Sequence, residues 1–595
     1  MSDKVKVTID GLEVNIPADS TVLQAAQIAG VDIPTLCYHP DLRTTGNCRV
    51  CVVEVEGMPT FQPSCAFKVW DGMKVKTNTP ELRRARKMTV ELMISRHNTE
   101  CLNCDSNKNC ELQDLADKMN IREVRFEIQP DFEHPMDHSS VIHRDPSKCV
   151  NCGRCIRMCN EIQTVNALEW AGRGYEKMAM TTMERPLNET ACIACGQCIN
   201  VCPVGALTER DDTARAWAFI EDPEIHTVVQ TAPAIRAGLG EACGLEQGHL
   251  SAGKMFAAIK KVGFDKAMDT DFTADLTILE EGTEFLGRVT KALKDGDPNV
   301  AFPMLTSCSP GWINFIETYY PDMLDNLSTC KSPQQMFGPL AKTFYAEKAG
   351  IDPSKIKVIS MMPCTAKKLE CDRPEMNASG YQDVDLVLTT REFAKMIKEA
   401  NIDFDRLEEI KPDAPMGVST GAADIFANTG GVMEAALRTV HEIITGEALP
   451  ALLNFTPVRG LVGIKEASIT FDKVAEGFEF LQGVTVNVAV ANATGNARKL
   501  LDSVKSGEKT YHFVEVMCCP GGCIGGGGQA KPTSWAIKAK RAAAIYKEDE
   551  GREMRKSHEN PAVQTLYSEF LGKPNGHKAH ELLHTTYTSK AHLLK

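Results

Sequence analysis

The sequence contains no run of about 18 or more apolar residues, which excludes a membrane-spanning helix. Its N-terminus, Met1 to Ile9, alternates charged and apolar residues and lacks the apolar core of a secretory signal, so secretion is not expected. Positive charge is in deficit. With 66 Lys and Arg against 79 Asp and Glu, the net charge is −13, which argues against non-specific nucleic-acid binding and favours protein partners. No G-x-G-x-x-G follows a strand pattern, so the chain is not expected to bind NAD or flavin itself. Cysteine, by contrast, is abundant, with 23 in 595 residues. Most recur at gaps of two or three, which points to metal thiolates in a reducing cytosol rather than to disulfides. The expected location is cytoplasmic.

A chain of 595 residues is too long for one core, and several domains are expected. The charge is uneven. Residues 531–595 hold twelve Lys and Arg against seven Asp and Glu, a net of +5, which leaves −18 on the rest. This tail is expected to pack back onto an acidic body.

Residues 4–30 read as strand, Asp10-Gly11 turn, strand and then a helix from about Ser20, capped by Ser20 or Asp19. Cys37, Cys48, Cys51 and Cys65 follow as C-x10-C-x2-C-x13-C, which is not the plant ferredoxin spacing. After a predicted helix over Pro80 to Ser95 come His97, Cys101, Cys104 and Cys110, a His/Cys3 set that suits either a [4Fe–4S] cluster or structural zinc. Cys149, Cys152, Cys155 and Cys159, then Cys192, Cys195, Cys198 and Cys202, both read C-x2-C-x2-C-x3-C, the run of two-cluster bacterial ferredoxins. In such folds the fourth cysteine crosses over. Cys159 is expected to join Cys192, Cys195 and Cys198, and Cys202 to join Cys149, Cys152 and Cys155. Clusters in series imply one-electron transport over a distance.

From about Ala214 cysteine becomes sparse and βα alternation begins, with strands expected at 226–230, 357–360 and 383–388. Ligands of such sheets lie at the carboxyl ends of strands. Cys364 follows the second strand directly, and Cys308 follows Phe302-Pro303-Met304-Leu305. Three stretches dominate this half: Thr306-Ser307-Cys308-Ser309-Pro310-Gly311-Trp312, Met362 to Glu370, and Glu515 to Gly528. Together they resemble the signature stretches of the [FeFe]-hydrogenases, and the resemblance extends over about residues 4–590. The first two cysteine sites also resemble those of the large iron–sulfur subunit of respiratory complex I, which favours iron over zinc at the second.

The resemblance implies a multidomain α/β protein. Its parts would be a β-grasp [2Fe–2S] domain (1–80), a His/Cys3 [4Fe–4S] segment (81–120) and a two-cluster [4Fe–4S] ferredoxin-like domain (140–212). A large α/β H-cluster domain (213–530) and a C-terminal wrapping helical segment like a small subunit (531–595) would follow. Its cofactors would be one [2Fe–2S] cluster, three accessory [4Fe–4S] clusters and an H-cluster, a [4Fe–4S] cube joined to a two-iron unit with CO, cyanide and azadithiolate. By position, Cys364, Ser309, Cys519 and the bridging Cys523 match cluster ligands, and Lys367 matches the lysine that pairs with a cyanide. Pro233, Gln334, Met362, Phe426 and Met517 match residues lining the pocket. A proton relay maps to Cys308, Glu281, Ser328, Glu284 and Arg288.

This chain departs from the family at Cys308-Ser309, where most members have two cysteines, and at Cys518, where a small residue is common. Ser309, Cys308 and Cys518 compete as the last cube ligand. Cys243, Cys330 and Cys371 carry no implied role. The similarity is greatest to NAD(P)-linked, electron-bifurcating multi-subunit enzymes. It implies flavin- and NAD(P)-binding iron–sulfur subunits, a small [2Fe–2S] subunit, ferredoxin and maturation proteins as partners. The alternatives are a monomeric ferredoxin-dependent hydrogenase, or a non-catalytic hydrogen sensor or electron-transfer subunit.

Overall fold

The structure, a computed structural model, describes residues 4–127, 129–130, 134–448 and 450–594. The chain divides into two compact units, one of residues 1–161, 166–190 and 201–208, the other of 162–165, 191–200 and 209–595.

In the first unit, strands Lys4–Ile9 and Leu12–Pro17 form a hairpin. Its turn places Asp10 and Gly11 at φ 48° and 88°, the left-handed pair that a two-residue hairpin requires. Met73–Lys76 runs parallel to the first strand, and Val52–Val55 pairs antiparallel beyond it. Helix Val22–Ile28 buries Val22, Leu23, Ala25 and Ala26. Its cap is Thr21 rather than Ser20 or Asp19, because only Thr21 closes a reciprocal capping box with Gln24. Helix Pro80–Ser95 starts on Thr79, whose side chain accepts the amide of Leu82.

The second unit contains two four-stranded sheets. One is wholly parallel, in the order Lys266–Asp269, His226–Thr231, Ile356–Met362, Leu386–Thr389. Its last strand begins at Leu386 and not at Asp383. Asp383 instead accepts hydrogen bonds from Ser379 and Lys331, and Asp385 Oδ2 accepts the amide of Val358. The other sheet orders Met304–Leu305, Phe513–Met517, Thr485–Asn492 and Ile464–Thr470, with only the last strand antiparallel. Helix Asp271–Leu293 buries Phe272, Leu276, Ile278 and Phe285, and also Glu280 and Glu281.

The basic tail packs back as its charge predicts. Helix Trp535–Gly551 carries Arg541, fully buried and paired with Glu241. Arg541 Nη1 also donates to the carbonyl of Ile524 at 2.9 Å, and Nη2 to that of Ala530 at 3.1 Å. Arg552 pairs with Asp424, Lys556 with Glu442 and Lys590 with Glu317. A second buried cation, Arg236, is surrounded by Asp269, Asp271, Asp424 and Glu548. Among the described residues, no helix is long and apolar enough to cross a membrane.

Candidate active site and cluster sites

In the first unit, Cys37, Cys48, Cys51 and Cys65 are all buried. The amide of Cys37 points at Cys48 Sγ and that of Cys48 at Cys37 Sγ, both at 3.4 Å, and the thiol of Cys65 contacts those of Cys37 and Cys51. Four converging thiols with amides aimed at sulfur are the arrangement that an iron–sulfur cluster would need. At the second site His97 is 7% exposed, and its Nδ1 has no hydrogen-bond partner. Burial lowers its pKa to about 4, so the ring is neutral and available as a ligand. Gly205 leaves room for Cys104, whose sulfur stands 2.5 Å from where a Cβ on residue 205 would be. Cys101 and Cys110 flank it in sequence.

A third site is a cavity of about 490 Å³ lined by Cys149, Cys152, Cys155 and Cys202. The fourth cysteine of the second run thus stands with the first three of the first run, the crossover that the spacing predicts. Cys159 belongs to the first unit, and Cys192, Cys195 and Cys198 to the second.

The second unit holds a larger cavity at the carboxyl ends of its parallel strands. Strand His226–Thr231 leads to Pro233, and Met304–Leu305 leads to Cys308 and Ser309. Strand Ile356–Met362 ends in Met362 and is followed by Cys364 and Lys367, while Phe513–Met517 delivers Met517, Cys518, Cys519 and Cys523. Gln334 and Phe426 complete the wall. Every residue expected to line the pocket or hold the cube therefore borders one space. The donors are mostly thiol sulfurs in an apolar wall with thioethers, a soft set suited to iron–sulfur chemistry.

Lys367 Nζ donates to the carbonyl of Cys308 at 3.2 Å and pairs with Glu370 Oε2 at 2.9 Å. The same Glu370 oxygen accepts from Gln334 Nε2 at 3.0 Å, which leaves Gln334 Oε1 buried without a partner. Sequence reasoning missed Glu370 as a site residue. Its signal was the i, i+3 spacing from Lys367 on one short helix. Ser309 Oγ accepts the amide of Cys518 at 3.2 Å, and the Cys518 thiol contacts those of Cys195 and Cys519. Gly311 makes space for this, since a Cβ there would stand 2.6 Å from Cys518 Sγ. Gly525, Gly526 and Gly527 permit close approach of neighbouring backbone, and Gly528 that of the Thr389 side chain. A Cβ on residue 526 would stand 1.9 Å from the carbonyl oxygen of Pro363, and one on residue 527 would stand 2.2 Å from that of Cys195.

The residues expected to form a relay also come together. Glu281 is 2% exposed, and its Oε1 has no partner. Burial pushes its carboxyl up to about 8, and the charge of Glu284 adds to this. Its side chain contacts Ser328, whose hydroxyl donates to Glu284 Oε2 at 2.9 Å, and Glu284 Oε1 pairs with Arg288 at 2.7 Å. Burial also pushes the Cys308 thiol well up, reinforced by the nearby Glu281. Cys330 and Cys371 are buried and Cys243 is partly buried.

The family "Iron only hydrogenase large subunit, C-terminal domain" matches residues 225–527, and "Iron hydrogenase small subunit" matches 536–590. A 2Fe-2S iron-sulfur cluster binding domain matches 2–80, the NADH-ubiquinone oxidoreductase-G iron-sulfur binding region 86–125, and the ferredoxin-like domain of NADH-quinone oxidoreductase subunit 3 139–208. The NADP-reducing hydrogenase subunit HndD of Solidesulfovibrio fructosivorans is 48% identical, over 99% of each chain. Iron hydrogenase 1 of Clostridium pasteurianum is 39% identical, over 98% of this chain and 99% of its own. A structure of the apo [FeFe]-hydrogenase HydA1 from Chlamydomonas reinhardtii matches with 44% identity and a TM-score of 0.57, covering 64% of this chain and 99% of that one.

Proposed function

This chain belongs to the iron-only hydrogenases, oxidoreductases acting on H2, and on that premise we propose that it is the catalytic subunit of an NAD(P)-linked, electron-bifurcating complex. The observation that carries the catalytic assignment is the single cavity that gathers Cys364, Cys519, Cys523, Lys367 and Cys308 next to Glu281.

An H-cluster bound there would supply the iron chemistry that makes or cleaves dihydrogen. Cys364, Cys519 and Cys523 would hold it, with Cys523 as the bridging thiolate. For the last cube ligand we assign Cys518. Its thiol contacts Cys519, which also lies beside Cys364 and Cys523. Cys308 lies instead beside Glu281 and Cys523, on the relay side. Ser309 is a harder donor whose oxygen already accepts an amide.

Lys367, held by Glu370 and the carbonyl of Cys308, places a desolvated cation against the pocket, where an anionic cyanide would be bound. Protons move between Cys308 and Arg288 through Glu281, Ser328 and Glu284. The neutral Glu281 carboxyl can donate inward and be reprotonated from Ser328. Met362, Met517, Pro233 and Phe426 exclude water from the cavity.

Electrons would travel through one [2Fe–2S] and three accessory [4Fe–4S] clusters. Cys518, touching Cys195 as well as Cys519, lies on the last step of that route. The similarity to an NADP-reducing subunit along nearly its whole length supports flavin- and NAD(P)-binding partner subunits, a small [2Fe–2S] subunit and ferredoxin in the cytoplasm.

The test is to mature the chain anaerobically and measure H2 evolution with reduced methyl viologen, together with infrared bands of CO and cyanide. Activity with those bands, and NAD(P) reduction only after a flavoprotein partner is added, is the expected result. Full iron loading without bands or turnover would reduce the chain to an electron carrier.

A further inference from the structure

We propose that Tyr587, in the C-terminal segment, is a positioning residue of the proposed proton path, its phenol pinning the two serines, Ser307 and Ser328, that hold the Glu281 carboxyl. This rests on the reading of Glu281 as a relay member.

The Tyr587 hydroxyl donates to the carbonyl of Ser328 at 2.7 Å and lies 3.4 Å from that of Cys330. It also touches the side chain of Ser307, whose own hydroxyl donates to the Cys330 carbonyl at 2.6 Å. Both serines are buried. The Glu281 carboxyl in turn lies against the amide of Ser307 and the side chain of Ser328, and each contact lowers its pKa against the larger rise that burial brings. Ser328 is the link to the next acid, because its hydroxyl donates to Glu284 Oε2 at 2.9 Å and accepts the amide of Cys330 at 3.2 Å. One phenol therefore braces both segments that face Glu281.

The backbone carries Tyr587 to this place. The amide of Lys331 donates to the carbonyl of Leu583, and the amide of Thr585 to that of Thr329, each at 2.8 Å. Farther along, the Lys590 amide donates to the Glu317 carbonyl at 2.7 Å, and Lys590 Nζ to Asn314 Oδ1 at 2.7 Å. Tyr587 lies between these anchors, on a segment tied at both ends.

The phenol acts through its position and not through charge. Burial pushes it well above its ordinary value, and Cys330, Glu284 and Glu281 add to this, so it stays a neutral donor. The ionisable groups near Glu281 are Glu280 and Glu284 on its own helix, Cys308, Cys330 and Glu515, with Arg288 paired to Glu284. Tyr587 adds no charge to that set. Without its hydroxyl, the buried Ser328 carbonyl loses this donor and the two serines can shift from the carboxyl they hold.

The test uses the matured full chain with reduced methyl viologen as electron donor. Tyr587→Phe removes one oxygen and keeps the ring. H2 evolution should fall by about tenfold to 100-fold, the scale of loss from misplacing a reacting group, with the infrared bands of the bound cofactor as in the parent. The infrared band of the protonated Glu281 carboxyl should fade at a higher pH than in the parent, because two contacts that lower its pKa are weakened. Ser307→Ala should move rate and band in the same directions. The double variant should lose less than the product of the two single losses, since both changes act on one carboxyl. A parental rate in Tyr587→Phe, a carboxyl band that fades at the parent's pH, or single losses that multiply in the double variant overturns the proposal. So does loss of the cofactor bands in Tyr587→Phe, which would make the residue a prop of the pocket instead. If Glu281→Gln leaves the rate intact, the relay assignment itself fails, a separate outcome.

Discussion

Glu281→Gln isolates the least ordinary group on the proposed proton path. The carboxyl is pushed from 4.5 to about 8, a difference of roughly 3.5 units, chiefly because it is buried. At about 1.36 kcal/mol per unit, ionising it in place costs about 5 kcal/mol more than in water. Because the folded value is raised, the stability tied to this proton is fully present below about pH 4.5 and is lost as pH rises to about 8. Linkage between pH 5 and pH 8 gives a loss of about 3–4 kcal/mol in the parent. Glutamine carries no such proton, so the variant's stability should lack that slope, and its advantage over the parent should grow with pH. The direct assay is the infrared stretch of a protonated carboxyl, titrated against pH. The parent should show a band that fades around pH 8 and is missing from Glu281→Gln. Viologen-linked H2 evolution should fall by about 10²–10⁴ in the variant, the range for a lost acid–base group. A band that fades in the ordinary carboxylate range, or one that survives the substitution, would refute the reasoning.

Cys518→Ala should lose about four iron atoms per chain and the signal of the H-cluster cube, and Ser309→Cys in the same chain should restore both; an unchanged iron count would return the ligand role to Ser309 or Cys308. Lys367→Ala should retain all iron–sulfur signals yet lose the CO and cyanide bands, because the cation that would face the cyanide is removed while every thiol stays. Arg236→Met should destabilise the catalytic unit by about 3–5 kcal/mol, seen as a lowered unfolding midpoint, because four buried carboxylates lose their shared cation.

Much of this was legible before the fold was known, and the reasons differ by site. Cysteine spacing is a local signal, and the crossover of Cys202 to Cys149, Cys152 and Cys155 appears as expected. The strand-end rule placed Cys308 and Cys364 correctly because parallel sheets leave little choice of where a pocket opens. Glu281 was not legible from its own neighbourhood. Two acids on one helix turn look solvated, and burial comes from elements far away in the chain. Glu370 was hidden for a similar reason: it reaches the site through Lys367 and Gln334 and not by itself. The cap at Thr21 was missed by one residue because Asp19, Ser20 and Thr21 are all good caps, and only the reach of Gln24 separates them.

The clasp of Arg541 on the carbonyls of Ile524 and Ala530 has a consequence for the order of events in the cell. The loop bearing Cys523 is synthesised before the residue that fastens it, and the rest of the basic tail comes later still. Until helix Trp535–Gly551 docks, that loop therefore has its cysteine but not its clasp. The setting of the loop beside the cavity is thus tied to the docking of a helix that follows it in the chain.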